Sequence, residues 1–333
     1  MNILAADIGG TSSRFAYFTL DEKDTLTLND VRWIETRQST SFPHLLDLLN
    51  KSGFCLPLDQ TDIAVLAVAG AIINGVYSDP PNIEWDIDLS ISIADFIPKR
   101  WALINDFVAQ AYACRSPIIE SARQIVAGQV DSSATLAVIG AGTGLGMAAL
   151  TPDGVGGYVA IPSEGGHGAF AFESPAEFEL MKFVMAELQA PYVEAEFIVS
   201  GRGLSLVHHF LTGEKLTPAE VGAELSPDSE TLAWMAGFYG RACRNYALQV
   251  LARGGVYISG GVAAKLPILV THPAFEQQFF NSRAMAPVLK KIPVYLNTNE
   301  DSGLWGAAFF GQLTARASGA KKNLNGRVPA RQT

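Results

Sequence analysis

The chain has few charged residues and few cysteines for its length. Both shortages exclude certain classes of function. Only 17% of its 333 residues are charged, and acidic side chains outnumber basic ones to give a net charge of −9. A nucleic-acid-binding protein needs a basic surface, which this composition does not offer. The three cysteines form no CxxC pair. Neither a disulfide framework nor a zinc knuckle is therefore predicted.

Signals for export and for membrane insertion are also missing. The opening segment, MNILAADIGG, has no basic region ahead of its short apolar run. No stretch approaches the ~20 apolar residues that cross a bilayer. We therefore expect a cytoplasmic protein whose partners include neither a membrane nor a nucleic acid. Hydrophobic residues make up 48% of the chain, which is enough for well-buried cores, and the length favours two domains.

Apolar runs alternate with helical patterns along the chain, and this alternation predicts an α/β fold. Each half opens with two apolar runs joined by a glycine-rich turn, DIGGT at 7–11 and GAGTGLG at 140–146. Such a pattern is typical of a β-hairpin. Continuous apolar runs at 63–68, 101–104 and 256–258 predict buried strands. The repeated hairpin indicates two related halves.

The glycine turns are candidates for phosphate binding, although the usual nucleotide motifs are absent. No GxxxxGK[ST] occurs, and the alternating glycines at 140–146 do not fit GxGxxG. A tight glycine turn exposes backbone N–H groups that can hold an anion. Asp7 could hold Mg²⁺ at the first turn, and Thr11 and Thr143 add hydroxyl groups. Each turn alone could equally be an ordinary hairpin, but a third glycine pair at 260–261 favours ligand binding.

Two further segments carry side chains suited to catalysis. Asp106 lies between an apolar strand and a helix, where it is either a helix cap or a carboxylate facing the ligand crevice. In the second case it could accept a proton from an attacking hydroxyl. The loop SEGGHG at 163–168 places Glu164 and His167 among glycines, which suits a polyhydroxylated ligand or an ordinary surface loop. Glu196 alone is simply an exposed acid.

Taken in order, these segments resemble the bacterial glucokinases of the hexokinase–actin superfamily over about residues 2–317. DIGGT and GAGTGLG resemble the two phosphate loops of that family, the NDF at 105–107 its catalytic segment, and the ISGGV at 258–262 its adenosine-side motif. The resemblance implies two actin-like (ribonuclease H-like) α/β domains flanking a cleft. It also implies ATP-dependent phosphorylation of the 6-hydroxyl of glucose, with Mg²⁺ as cofactor and Asp106 as general base.

The resemblance assigns the remaining site residues. The sugar ligands implied are Asn105, Asp106, Glu164, His167 and Glu196. The nucleotide-binding residues implied are Asp7, which would hold Mg²⁺ through water, and Gly9, Gly10, Thr11, Gly142, Thr143, Gly144, Gly260 and Gly261. Two departures are visible: Ser12 stands where the family usually has Asn, and the absence of cysteine between 114 and 243 indicates the zinc-free branch.

The expected domains are residues 1–109, completed by a final helix at about 303–317, and residues 110–302. A disordered tail is expected over 318–333. A homodimer is the default assembly for such enzymes. Two other functions stay open: a kinase for another hexose or an N-acetylhexosamine, and a non-catalytic paralogue that binds sugar and ATP.

Overall fold

The computed structural model describes residues 1–91, 98 and 100–325, with side chains described up to residue 317. The chain divides into two compact units. Unit 1 comprises Met1–Ile119 and the chain from Glu300 onward, and unit 2 comprises Glu120–Asn299. These limits lie near the domain boundaries expected at 109 and 302. That the two units are separate domains stays a prediction.

Unit 1 is built on a five-stranded mixed sheet with helices packed against it, and it also contains a separate two-stranded sheet. Its strands are β1 (Asn2–Ile8), β2 (Ser12–Leu20), β3 (Leu26–Glu35), β4 (Ile63–Val68), β5 (Tyr77–Ser78), β6 (Ile87–Asp88) and β7 (Trp101–Asn105). Its helices are α1 (Phe42–Lys51), α2 (Asp106–Ala113) and the last helix of the chain, α12 (Ser302–Asn325). The order of the larger sheet is β3-β2-β1-β4-β7, with β1 antiparallel to β2 and parallel to β4, and the separate sheet consists of β5 and β6.

Unit 2 repeats this arrangement. Its strands are β8 (Arg123–Val126), β9 (Leu136–Ala141), β10 (Leu145–Pro152), β11 (Tyr158–Ser163), β12 (Val256–Ser259) and β13 (Val294–Leu296). Its helices are α3 (Pro175–Leu188), α4 (Ala195–Ile198), α5 (Gly201–Thr212), α6 (Pro218–Glu224), α7 (Glu230–Gln249), α8 (Gly261–Lys265), α9 (Ile268–Thr271), α10 (Pro273–Phe280) and α11 (Ala286–Leu289). The order β11-β10-β9-β12-β13 matches that of unit 1, with β8 added at the edge. The prediction of an α/β fold with two related halves is confirmed.

The central strands form because their sequences are apolar on both faces. Every residue of β4 and of β9 is buried, as expected for strands covered by helices on either side. Five strands were not predicted: the short strands β5, β6 and β8, and the longer strands β3 and β11. Strands β3 and β11 each lie at a sheet edge, where exposed positions alternate with partly buried ones, so neither shows a continuous apolar run.

The final helix is longer than expected. It begins at Ser302, and its backbone continues to Asn325, although the tail was expected to start at residue 318. Residues 318–325 have the sequence SGAKKNLN, and no proline lies between Ser302 and Pro329 to interrupt a helix. Residues 326–333 of the expected tail lie outside the described residues. Within the described part of the chain, no helix has the length and apolar character needed to span a membrane.

Helix α12 contacts α2 so closely at Gly306 that a side chain does not fit. A Cβ on Gly306 would overlap the carbonyl oxygen of Ala109. We expect Gly306→Ala to lower the free energy of unfolding by roughly 1–3 kcal/mol, the usual cost of overpacking, measured by urea denaturation. Gly311→Ala on the same helix is the matched control, because the atoms nearest to its Cβ would be methyl groups of β1 and β4, the first at 3.3 Å. Both variants gain the same helix propensity, so equal stabilities would contradict the close contact.

Candidate active site

The strand-to-helix junction of unit 1 fixes the position of Asp106. Asn105 is the N-cap of α2: its Oδ1 accepts from the backbone N–H groups of Phe107, at 2.9 Å, and Val108, at 3.2 Å. Its Nδ2 donates to the carbonyl oxygen of Gly70 at 3.0 Å. The helix cap is therefore Asn105, and the interpretation of Asp106 as that cap is wrong. The reason is that α2 begins one residue earlier than the sequence pattern indicated.

Asp106 occupies the first position of α2. Its Oδ1 accepts a hydrogen bond of 2.9 Å from the N–H of Phe107. A carboxylate at this end of a helix is stabilised by the helix dipole. Because both polar atoms of the Asn105 side chain bond to backbone, Asn105 acts on Asp106 by joining the start of α2 to the segment that follows β4.

The first glycine turn joins β1 to β2 in unit 1 and contains Gly9, Gly10 and Thr11. A Cβ on Gly10 would overlap the carbonyl oxygen of residue 82, so the turn requires glycine there. Asp7, at the end of β1, forms an ion pair with Arg14 of β2, its register partner across the hairpin. Sequence reasoning missed Arg14, which was identifiable only from the strand register. Its charge offsets that of the carboxylate predicted to hold Mg²⁺.

In unit 2, the EGGH loop lies directly on the β9–β10 hairpin. A Cβ on Gly166 would overlap the carbonyl oxygen of Leu145, the first residue of β10. The backbone beyond the loop then pairs with the segment before α4: Ala195 N–H donates to Gly168 at 2.8 Å, and Phe170 N–H donates to Val193 at 2.9 Å. These bonds bring side chains from two separate parts of the sequence together.

The resulting group of side chains is His167, Glu164, Glu194 and Glu196, which we call the imidazole–carboxylate cluster. His167 Nδ1 lies 2.7 Å from Glu194 Oε2 and 3.9 Å from Glu196 Oε1, and Nε2 lies 3.9 Å from Glu164 Oε2. The hydrogen bond with Glu194 raises the pKa of His167, and the charges of Glu196 and Glu164 add to this effect while partial burial opposes it. Three carboxylate acceptors and one imidazole donor suit several hydroxyl groups of one ligand.

The cluster unites Glu164, His167 and Glu196, which the sequence had suggested singly. Glu194 was missed, although it makes the shortest contact. It lies two residues before Glu196, in the sequence PYVEAEF. The extended backbone at Val193–Glu194 pairs with Ala169 and Phe170, and that long-range pairing is what brings Glu194 to His167.

The second glycine turn joins β9 to β10 and forms one wall of a pocket. Gly142 N–H donates to the Gly144 carbonyl at 2.9 Å. A Cβ on Gly144 would lie 2.5 Å from Glu196 Oε2, so the turn directly adjoins the imidazole–carboxylate cluster. Gly260 has φ +95° and closely approaches Ala141, where a Cβ would lie 2.6 Å from the carbonyl oxygen. Glycine is therefore required at residue 260, whereas a side chain at residue 144 would displace the Glu196 carboxylate.

The pocket has a volume of about 980 Å³, within the usual range for small-molecule sites. It is lined by the second glycine turn and by helices α5, α6 and α8, through residues that include Gly142, Thr143, Arg202, Ser205, Ala223, Gly261 and Lys265. Three predicted nucleotide-binding residues, Gly142, Thr143 and Gly261, thus meet in one cavity. Arg202 and Lys265 are cationic wall residues that sequence reasoning missed. The glycine-flanked SGRG at 200–203 was the available signal for Arg202.

Comparison with known proteins gives a consistent result. A family profile described as glucokinase matches residues 4–314. The glucokinase of Synechocystis sp. is 30% identical, and the match covers 92% of this chain and 97% of that protein. Among solved structures, a glucokinase from an Antarctic psychrotroph has a TM-score of 0.79 at 28% identity, covering 92% of this chain and 98% of its own. A glucokinase from Balamuthia mandrillaris in complex with glucose has a TM-score of 0.75 at 23% identity, covering 92% of each chain. The resemblance and the actin-like fold are confirmed.

We expect Glu194→Gln to lower the pKa of His167 towards its usual value of about 6.5, because the variant loses the carboxylate that raises it. The measurement is an NMR titration of the His167 ring, with the His44 ring as internal reference. Folding raises the pKa of His167, so the stability from its protonated form is present below the usual value. That stability is lost as pH rises through the raised value. An unchanged His167 titration in Glu194→Gln would contradict the assignment.

Proposed function

The chain belongs to the glucokinase family, and we propose that it transfers the γ-phosphoryl group of ATP to the 6-hydroxyl of glucose. The observation that carries this proposal lies within unit 2. The imidazole–carboxylate cluster, suited to sugar hydroxyls, adjoins the same glycine turn that walls the pocket, through the approach of Glu196 to Gly144. A sugar and the phosphates of a nucleotide would therefore be held at one hairpin.

In the sugar part of the proposed site, the residues of the imidazole–carboxylate cluster have three roles. The Glu194 carboxylate accepts a hydrogen bond from Nδ1 of His167 and so fixes the orientation of the ring. Nε2 is then left to contact a sugar hydroxyl. Glu164 and Glu196 accept hydroxyl hydrogens. The side chains of His167 and Glu164 are 58% and 59% exposed, so a sugar can reach both.

In the nucleotide part, the adenosine moiety would occupy the pocket formed by α5, α6 and α8. The phosphates would meet the backbone N–H groups of the second glycine turn, which bind anions without side-chain charge. Arg202 and Lys265 add positive charge at the wall. Gly9, Gly10 and Thr11 are proposed to contact phosphate from the first turn.

Mg²⁺ accompanies ATP in this proposal. The site fits it in part: Asp7 supplies a carboxylate at the lip of the first glycine turn, but that carboxylate already pairs with Arg14. We therefore propose that Asp7 holds Mg²⁺ through water, which requires no loss of the ion pair. When bound, Mg²⁺ supplies charge neutralisation on the phosphates.

Asp106 is proposed as the general base. The Asn105 cap and the bond to Phe107 N–H hold its carboxylate at the start of α2, where it would accept the proton of the sugar 6-hydroxyl as the phosphoryl group transfers. The negatively charged form of Asp106 is stabilised at this position, because the side chain lies at the positive end of the α2 dipole. The homodimer expected from the sequence stays a prediction.

We expect Asp106→Asn to lower kcat by roughly 10²–10⁴-fold, the usual contribution of a general base. The amide retains the acceptor oxygen for Phe107 N–H and leaves the Asn105 cap intact, so stability and glucose affinity should change little. The measurements are glucose-dependent ADP release, thermal unfolding and calorimetric glucose binding. Asp59→Asn, an equal charge change at an exposed residue of unit 1, is the control.

The same assay tests the function itself on a panel of hexoses and N-acetylhexosamines. We expect glucose to give the highest kcat/KM. A higher value for another sugar would make the chain a kinase for that sugar, and no ADP release with any of them would favour the non-catalytic paralogue. Near-normal turnover by Asp106→Asn, with a folded protein, would remove Asp106 from the role of base.

The nucleotide pocket can be tested by filling it. No heavy atom lies within 4 Å of a Cβ on Gly261, and this residue lines the pocket, so Gly261→Leu should fold normally and obstruct the cavity. We expect the KM for ATP to rise roughly tenfold or more, equivalent to about 1.4 kcal/mol of lost binding, with the KM for glucose unchanged. Ala264→Leu, on the same helix but outside the pocket lining, is the matched control. An unchanged KM for ATP in Gly261→Leu would place the nucleotide elsewhere.

A further inference from the structure

A second histidine of unit 2 has an unusual environment. His208, on α5, is 7% exposed. Its Nδ1 lies 3.2 Å from the hydroxyl oxygen of Thr231 on α7, whereas its Nε2 is buried and has no hydrogen-bond partner among the residues that the structure describes. Buried polar atoms are nearly always satisfied by a partner. The exception at Nε2 therefore indicates that something else contacts this nitrogen.

Two carboxylates lie near the imidazole of His208. Glu214 follows the end of α5, and its Oε2 lies 3.9 Å from His208 Nε2. Glu224 is the last residue of α6. One ligand atom from each of the three residues lies within 4.8 Å of the other two. In a tetrahedral zinc site with bonds of about 2.0–2.1 Å, neighbouring ligand atoms are roughly 3.3 Å apart. Small rotations of the two exposed glutamates would close that difference.

We propose that His208, Glu214 and Glu224 form a binding site for a divalent transition-metal ion of the Zn²⁺ type. A neutral imidazole nitrogen is a good ligand for Zn²⁺ and a poor one for Mg²⁺ or Ca²⁺, which prefer oxygen. In this site His208 Nδ1–H donates to Thr231, which fixes the tautomer that offers the Nε2 lone pair. Two carboxylates then balance the charge of the ion.

The competing explanation is a simple ion pair between His208 and Glu214. An ion pair would need a protonated ring and a rotation of Glu214 alone, and it would not involve Glu224. The second carboxylate in the same group, Glu224, favours a metal ion, because a metal gathers several donors around one point whereas one N–H serves one acceptor.

The location gives the site a consequence for the pocket. Ser205 lies one helical turn before His208 on α5, and Ala223 directly precedes Glu224 on α6; both line the pocket. A metal ion bound to α5 and α6 would tie together two walls of that cavity. Metal binding and nucleotide binding should then change each other's affinity by the same factor. This last step rests on the proposed function, whereas the metal site does not.

The test is a calorimetric titration of chelator-treated full-length protein with ZnCl₂, in the absence of sugar and nucleotide. We expect saturable binding at this site, weakened at least roughly tenfold in Glu224→Gln and in Glu214→Gln. Both glutamates are exposed, so thermal unfolding of the metal-free variants should match that of the unmodified protein. Glu276→Gln removes the same charge from an exposed position on α10 and should bind Zn²⁺ normally.

Two further measurements distinguish this site from the imidazole–carboxylate cluster, whose histidine and glutamates could also attract Zn²⁺. His167→Asn should leave the affinity assigned to His208 intact, and Co²⁺ substituted for Zn²⁺ should give visible absorption that is lost in Glu224→Gln. The proposal is overturned if no saturable Zn²⁺ binding occurs. It is also overturned if Glu214→Gln and Glu224→Gln bind Zn²⁺ as tightly as Glu276→Gln does. Failure here would leave the sugar-kinase assay unaffected.

Discussion

The site in unit 2 depends on one steric constraint, the absence of Cβ atoms around the β9–β10 hairpin. Gly144 admits the Glu196 carboxylate, Gly166 admits the carbonyl group of Leu145, and Gly260 lies against Ala141. Gly201 N–H also donates to the Gly142 carbonyl at 3.0 Å, which attaches the start of α5 to the turn. A side chain at residue 166 would displace the EGGH loop from the hairpin, one at residue 260 would displace the start of α8, and one at residue 144 would displace the Glu196 carboxylate. Sugar ligands and pocket walls are therefore positioned by the same backbone contacts.

Unit 1 uses the same sheet order for a different electrostatic purpose. Its β1–β2 hairpin also needs glycine at a close backbone contact, at Gly10, but an ion pair between Asp7 and Arg14 lies beside the turn. The β9–β10 turn instead adjoins a carboxylate, Glu196. The two units thus share a strand order, whereas the charged side chains beside their glycine turns differ. This difference is why the two turns are assigned different contacts with phosphate and metal.

Features encoded within a few residues were predictable, and features that depend on long-range pairing were not. The hairpins, the buried strands and the Asn105–Asp106 junction follow from local patterns. Arg14 and Glu194 escaped notice because their partners are defined by strand register and by backbone pairing across many residues. The observed N-cap of α2 is Asn105, one residue before the candidate Asp106. Sequence patterns rarely resolve a helix boundary to one residue. The edge strand β11 was not predicted for a different reason: its exposed positions interrupt the apolar run by which a buried strand is recognised.

The two histidine–carboxylate groups of unit 2 show how burial decides the ligand that a similar set of side chains can accept. The side chain of His167 is 58% exposed and already bonded to Glu194, so it can exchange water for hydroxyl groups while its protonated form is stabilised. The side chain of His208 is 9% exposed, and its free nitrogen cannot be satisfied by bulk water. A sugar needs an accessible surface with several donors and acceptors, whereas a metal ion needs only converging lone pairs. The first histidine therefore suits a substrate that enters and leaves, and the second suits an ion that remains bound.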